Sequence, residues 1–307
     1  MRNAYLKTLY KLAKEDKNVL SLISDNGLIV YDDFKNDFPE QLLNFGMSEN
    51  NMVMAGCGLA SCGKIPFIYT ISAFLAFRSF EFIRVDACVN NLNVKIVGIG
   101  SGVSYGYLGP THHSTEDIGV LRVLPNLTIF SPSTPLMAQK VTEQAYKIKG
   151  PVYIRLGTNN EKEFYSENYN DNIKKLNNII DGKDFYIIST GSIAYDAFNA
   201  CQKLNENGYN IGFIDANCLK PFDSETLINL SKNCKNFIII EEHNIISGLS
   251  SIVSDVIAEN GLNCKVYKIG LNDVFAKGYG NHNQVKKQNG LDYDNIYLKI
   301  KNILENK

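Results

Sequence analysis

Glu49 stands near the start of GMSENNMVMAGCGLASCGK, residues 46–64, between Ser48 and a run of small apolar residues. An acid at the mouth of a segment that reads as a buried helix has one ordinary use. The helix dipole stabilises a first-turn carboxylate by roughly 0.3–1 kcal/mol. Phe74, Phe77, Phe80 and Phe82 form a second group, with an ordinary reading as helix core. His112 and His113 stand side by side in GPTHHSTED, where a loop pair can bond to the backbone. The glycines of VGIGSGVSYGYLG suggest a dinucleotide fingerprint, but the spacing fails. Gly98 and Gly100 require glycine at position 103, which is Val103, and Gly100 and Gly102 require it at 105, which is Tyr105. No Walker loop and no G-x-S-x-G elbow occurs. Cys57 and Cys62 have no histidine or second cysteine pair beside them in sequence, so no metal site is expected.

These residues need elements to hold them. MRNAYLKTLYKLAKEDKNVL patterns as an amphipathic helix, with Leu6, Leu9, Tyr10 and Ala13 on one face. NVLSLISDNG reads as a buried strand ending in a turn, followed by a polar, aromatic loop through Pro39. Ser48 is placed to cap a small-residue helix running to about Cys62. KIPFIYTIS is strand-like, and Ser72 is placed to cap the aromatic-rich helix after it. Strands at NVKIVGIGSG, NLTIFSPS and PVYIRLG, with a helix from Pro135, continue the alternation. The segment 158–183 is rich in Asn, Glu, Lys and Tyr and reads as a connection. The rhythm then resumes at DFYIISTGS, NIGFIDANC, NFIIIEEH and CKVYKIG. The expectation is α/β, with two domains, each a mostly parallel sheet flanked by helices. Their bounds are set at 1–157 and 184–307, with 158–183 as linker.

The 307 residues are too many for one small core. Lys+Arg total 31 and Asp+Glu total 32, a net charge of −1 that points to neither nucleic acid nor an anionic membrane. Lys286 and Lys287 read as solvated surface. No signal peptide or membrane-spanning run is visible, and seven scattered cysteines fit a reduced, cytoplasmic protein.

In combination and order, GMSENNMVMAGCGLASCGKIPFIYT, SAFLAFRSFEFIR, GPTHHSTEDIGVLRVLPNLTIFSPS, GPVYIRLG, LKPFD and IIIEEHNIISGLSS resemble the transketolase family of thiamine-diphosphate enzymes. The likeness covers the family's pyrimidine-binding and C-terminal domains. It implies that Glu49 hydrogen-bonds the cofactor's aminopyrimidine ring and favours its active tautomer. Sharing a proton in that way needs an acid whose pKa desolvation raises. Phe74 and Phe77 match the aromatics that pack on the aminopyrimidine, with Ile71 where some members carry another. Asp25 matches an acid near the thiazolium. His112 matches a histidine of the substrate channel, for proton transfer or hydrogen bonding. Arg155 and Arg2 match arginines that hold a sugar phosphate. His243 and His282 fall in the domain that supports the interface, where the family implies structural roles.

The resemblance also implies what the chain lacks. Transketolases bind the diphosphate and Mg²⁺ through an upstream domain marked by G-D-G, and no G-D-G occurs here. The chain is therefore expected to be the C-terminal subunit of a split transketolase, self-associating and joined to an N-terminal subunit as an α2β2 heterotetramer. That partner would hold the Mg²⁺. The expected activity is transfer of a two-carbon ketol unit from a ketose to an aldehyde. Leu108 precedes GPTH, where many members have an acid that reads a sugar hydroxyl. That departure points away from the ordinary pentose phosphates, toward a modified or nucleotide-linked sugar. Alternatives are a 1-deoxyxylulose-5-phosphate synthase-like or 2-oxo acid dehydrogenase beta-like subunit, and a non-catalytic partner subunit.

Overall fold

The structure, a computed structural model, describes residues 1–25, 28–166, 169 and 172–306. The first sheet draws on β1 (Val19–Ile23), β2 (Leu42–Asn44), β3 (Ile65–Ile71), β4 (Lys95–Ile99), β5 (Thr128–Phe130) and β6 (Val152–Leu156). The second draws on β7 (Asn177–Ile180), β8 (Phe185–Ser189), β9 (Ile211–Asp215), β11 (Asn236–Asn244) and β12 (Lys265–Leu271). Between them in sequence lies β10 (Cys218–Lys220), which leaves the second domain and pairs antiparallel with β5. The orders are β10-β5-β6-β4-β3-β1-β2 and β12-β11-β8-β9-β7. All other pairings are parallel except β7 with β9.

Parallel strands must be covered on both faces, and side-chain alternation supplies two cores. Leu22, Ile68 and Ile96 point to one, with Val53 and Leu75 from the covering helices. Phe67, Tyr69, Val97 and Ile154 point to the other, with Tyr5, Leu9 and Met137. Helix Arg2–Glu15 buries Tyr5, Thr8, Leu9 and Ala13, the i, i+3, i+4 spacing of one helical face, and packs on helix Pro135–Lys147. The first core runs on into Ile188, Ile239 and Leu249 of the second domain.

Several elements differ from their sequence reading. The expected loop before Pro39 contains two short helical pieces, Leu28–Tyr31 and Asp32–Asp37. The segment read as a connection carries β7; four residues with two asparagines are too short and polar to announce a strand. Ser72 caps nothing: its hydroxyl lies 2.6 Å from Tyr153 Oη and 2.9 Å from Ser114 Oγ. The helix after it winds as π turns at Phe74–Arg78 and Ile83–Val89 around a short α piece, Phe80–Phe82. Lys286 is buried, not solvated, because Asp196 pairs with it at 2.5 Å. Among the described residues, no helix is long and apolar enough to cross a membrane.

Candidate active site

Parallel pairing aligns strand ends. Ile71 lies opposite Ile99, and Ile99 opposite Leu156, so the carboxyl ends of β3, β4 and β6 share one edge. Open α/β sheets hold ligands at that edge. Glu49 begins the helix reached from β2, and Asp25 follows β1. Phe74 lies just beyond β3, and His112 sits on the loop leaving β4.

Glu49 is only 6% exposed, in the first turn of helix Glu49–Ser61. Ser48 holds the cap position, although its side chain makes no capping bond. Phe74 and His112 meet edge to face, with ring centroids 4.9 Å apart. Arg78, one turn after Phe74, sets its guanidinium 4.0 Å over the Phe74 ring. Its Nη1 lies 3.4 Å from Glu49 Oε2. One cluster thus joins Glu49, Arg78, Phe74 and His112. Burial, then the Arg78 charge, holds the His112 ring below the usual histidine value. Its Nδ1 lies 2.9 Å from Thr111 Oγ1. Phe77 is partly exposed beside the cluster and lines a cavity of about 380 Å³ with Phe74, Arg78, His113 and Phe275.

His113 is buried, and neither of its ring nitrogens has a partner among the described residues. Burial is the main cause that holds its ring below the usual value; the His112 charge adds to it and the Glu242 charge works against both. Arg2 opens the first helix, half-buried, with Nε unpartnered among the described residues. Burial pushes the Tyr105 hydroxyl up and the Arg2 charge offsets part of that, which places Arg2 toward Tyr105. Tyr105 in turn sits edge-on to His112, 6.5 Å between centroids. Ile71 ends β3, half-buried. Asp25 is exposed with φ 53°, and its Oδ1 accepts from Asn44 Nδ2 at 2.9 Å.

Arg155 requires a correction. Expected to hold a phosphate, it is 2% exposed and committed to the interior. Its Nε donates to Asp117 Oδ2 at 2.9 Å, and its Nη2 to the carbonyls of Ser114 and Glu242, each at 3.1 Å. Burial opposes the charge, but Asp117, Tyr153 and Glu242 outweigh it and hold the guanidinium above its ordinary value. Arg155 therefore anchors the His112 loop to both domains and does not line the site.

The glycine run has a structural explanation of the same kind. Gly102 has φ +63°, and a Cβ there would lie 2.3 Å from Glu242 Oε1. That oxygen accepts from the Val103 amide at 2.6 Å, and His282 Nε2 reaches it at 2.8 Å. Burial alone raises an acid; His282, Lys286 and the Val103 amide outweigh it and bring Glu242 down to about 2. His243 Nε2 accepts from the Gly119 amide at 3.4 Å. His243 thus ties the second domain to the first directly, while His282 pairs with Glu242, the second-domain carboxylate that grips the Val103 amide.

Sequence reasoning missed Arg78, Asp117 and Glu242. A signal for Arg78 was present: it follows Phe74 by four residues, a spacing that brings side chains together on one side of a helix. Asp117 and Glu242 meet partners tens of residues away, which no local pattern reveals.

A buried acid clustered with aromatic rings at the carboxyl edge of a parallel sheet marks the candidate site of a two-domain α/β protein. Family models agree: the pyrimidine-binding domain of transketolase matches residues 1–162 and the transketolase C-terminal domain matches residues 174–296. The chain is 36% identical to an apulose-4-phosphate transketolase subunit of Actinobacillus succinogenes, over 86% of this chain and 85% of that one. It is 28% identical to a 6-deoxy-6-sulfo-D-fructose transketolase subunit of Clostridium sp., over 100% and 95%. A solved structure described as a split gene transketolase, inactive beta4 tetramer, superposes with a TM-score of 0.88 at 32% identity, covering 98% of this chain and 96% of that one. The chain belongs to the transketolase family.

Proposed function

We propose that this chain is the C-terminal subunit of a split transketolase and moves a two-carbon ketol unit from a ketose to an aldehyde, using thiamine diphosphate. The observation that carries this is the Glu49 carboxyl, buried at a helix start with Phe74 and His112 within one cluster. These residues fit the ring half of the cofactor: a carboxyl for the ring nitrogen and aromatic faces for its plane. They do not fit the diphosphate half. No G-D-G occurs in the sequence, and no group of three His, Cys, Asp or Glu able to hold a metal occurs among the described residues. A partner subunit is therefore assigned the diphosphate and Mg²⁺.

The bound cofactor would supply carbanion stabilisation. This chain's residues do the rest. Glu49 holds a proton at the ring nitrogen. Phe74 and Phe77 fix the plane and exclude water. Ile71 would wall the ring at the end of β3, and Asp25, at the end of the neighbouring β1, would be the acid nearest the thiazolium half. His112, whose neutral form burial and the Arg78 charge favour, moves a proton at the substrate's hydroxyl or carbonyl. Arg2 is the remaining candidate for an anionic group on the sugar.

Leu108 is half-exposed on the same loop, where an acid is expected for ordinary sugars. Together with the names of the two relatives, this supports a modified sugar; the nucleotide-linked alternative rests on Leu108 alone. The assembly proposed is an α2β2 heterotetramer with self-contact between copies of this chain. Turnover by this chain with its partner, wild type against Glu49→Ala, tests the proposal. At least a hundredfold loss is expected, the usual scale for a proton-transfer group; undiminished turnover overturns it. Comparable turnover of xylulose 5-phosphate with ribose 5-phosphate would remove the modified-sugar reading.

A further inference from the structure

Arg78 touches the residues to which the ring is assigned, and it does so in a particular way. Its planar guanidinium lies 4.0 Å over the Phe74 ring, and one of its N–H groups faces the Glu49 carboxylate at 3.4 Å. A cation seated over an aromatic face and donating to a carboxylate occupies the two groups, Phe74 and Glu49, that an aminopyrimidine ring would use. The two cannot share one face of Phe74, because a guanidinium carbon 4.0 Å over the ring already fills that face.

We propose that Arg78 is a positioning residue that closes the ring-binding face of the unliganded subunit, and that the ligand's ring seats only when the guanidinium swings away. This rests on the thiamine diphosphate reading. The side chain is suited to such movement. It is 56% exposed, while the Glu49 side chain it covers is 8% exposed. Its ion pair is long, and a pair open to solvent on one side is weak and salt-sensitive. Arg78 also lines the cavity shared with Phe77 and His113, so space for the ring adjoins the closed position.

The test is calorimetric titration of thiamine diphosphate with Mg²⁺ into the assembled enzyme, wild type against Arg78→Met and Arg78→Lys, at low and high ionic strength. Removing the cation frees Phe74 and Glu49 together. Arg78→Met is expected to bind about threefold to thirtyfold tighter, the sum of a cation–π contact and an exposed ion pair. The gap from wild type should narrow as salt rises, because salt already loosens the wild-type pair. Arg78→Lys, which keeps the charge, should bring back the salt dependence. Equal or weaker binding by Arg78→Met, or a gap that ignores salt, overturns the proposal while leaving the cofactor reading intact. Failure of all three proteins to bind, with Arg78→Gln as a second substitution in case Arg78→Met misfolds, overturns both.

Discussion

His112 carries a charge environment that can be read directly. Burial disfavours its protonated form, and the Arg78 cation nearby adds to that effect. The ring should therefore titrate below a free histidine. Replacing Arg78 with Met removes one of the two causes, so the midpoint should rise in an NMR titration of the imidazole protons; an unmoved midpoint would place Arg78 too far away to matter. His112→Asn in the assembled enzyme should lower kcat by about a hundredfold or more. Its substrate KM should move far less, as steady-state kinetics will read. At this scale the sequence was informative where residue type and chemistry coincide. Glu49, Phe74 and His112 form one cluster joined through Arg78, which the sequence reading had not singled out. Arg155 was misjudged because a guanidinium fork suits a buried carboxylate as well as a phosphate, and only its neighbours decide.

The loop from β4 to His112 is an element held from below. Gly100 and Gly102 turn it at positive φ, Glu242 grips the Val103 amide, and Arg155 holds the Ser114 carbonyl. Arg155→Met leaves Asp117 buried without its cation. Losing one member of a buried pair costs about 3–5 kcal/mol, measurable as a lower urea midpoint. Arg155→Lys should recover part of that loss, since the charge survives while the fork does not. The alternation of apolar strands with helices made the central strands of both sheets legible, because a parallel strand buried on two faces must be apolar throughout, whereas the short edge strands β2, β7 and β10 carry no such run. The π turns after Ser72 were not legible. That serine's partners, Ser114 and Tyr153, lie dozens of residues away, so nothing nearby marks it as anything but a cap. The strand β7 was hidden for a different reason, since Asn177 serves a buried contact with Tyr165 Oη at 3.2 Å while Asn178 faces solvent.

Across the whole molecule, the seam between the domains holds two carboxyls with opposite tendencies. Burial pushes Asp215 up to about 6 from an ordinary 3.8, although Ser133, Tyr165 and Asn217 donate to it. The folded chain thus holds that proton more tightly than the unfolded chain. The contribution is full below the ordinary value and is lost as pH rises through about 6. The loss amounts to about 3 kcal/mol. Glu242 behaves in reverse: its contribution is present above its ordinary 4.5 and lost as pH falls toward about 2. Asp215→Asn should flatten the decline in stability as pH rises from 3.8 to about 6, read by denaturant melts at a series of pH values. An unchanged slope would assign the decline to other groups.

The short strand β10 has a consequence of its own. It lies beyond the first domain in sequence, yet it pairs with β5 and forms the outermost strand of the first sheet. Trimming the chain after the first domain would uncover the backbone amides and carbonyls of Thr128–Phe130, an adhesive margin that invites stray chains to add on. The two halves of this polypeptide are thus poor candidates for separate expression, however cleanly their sequences divide.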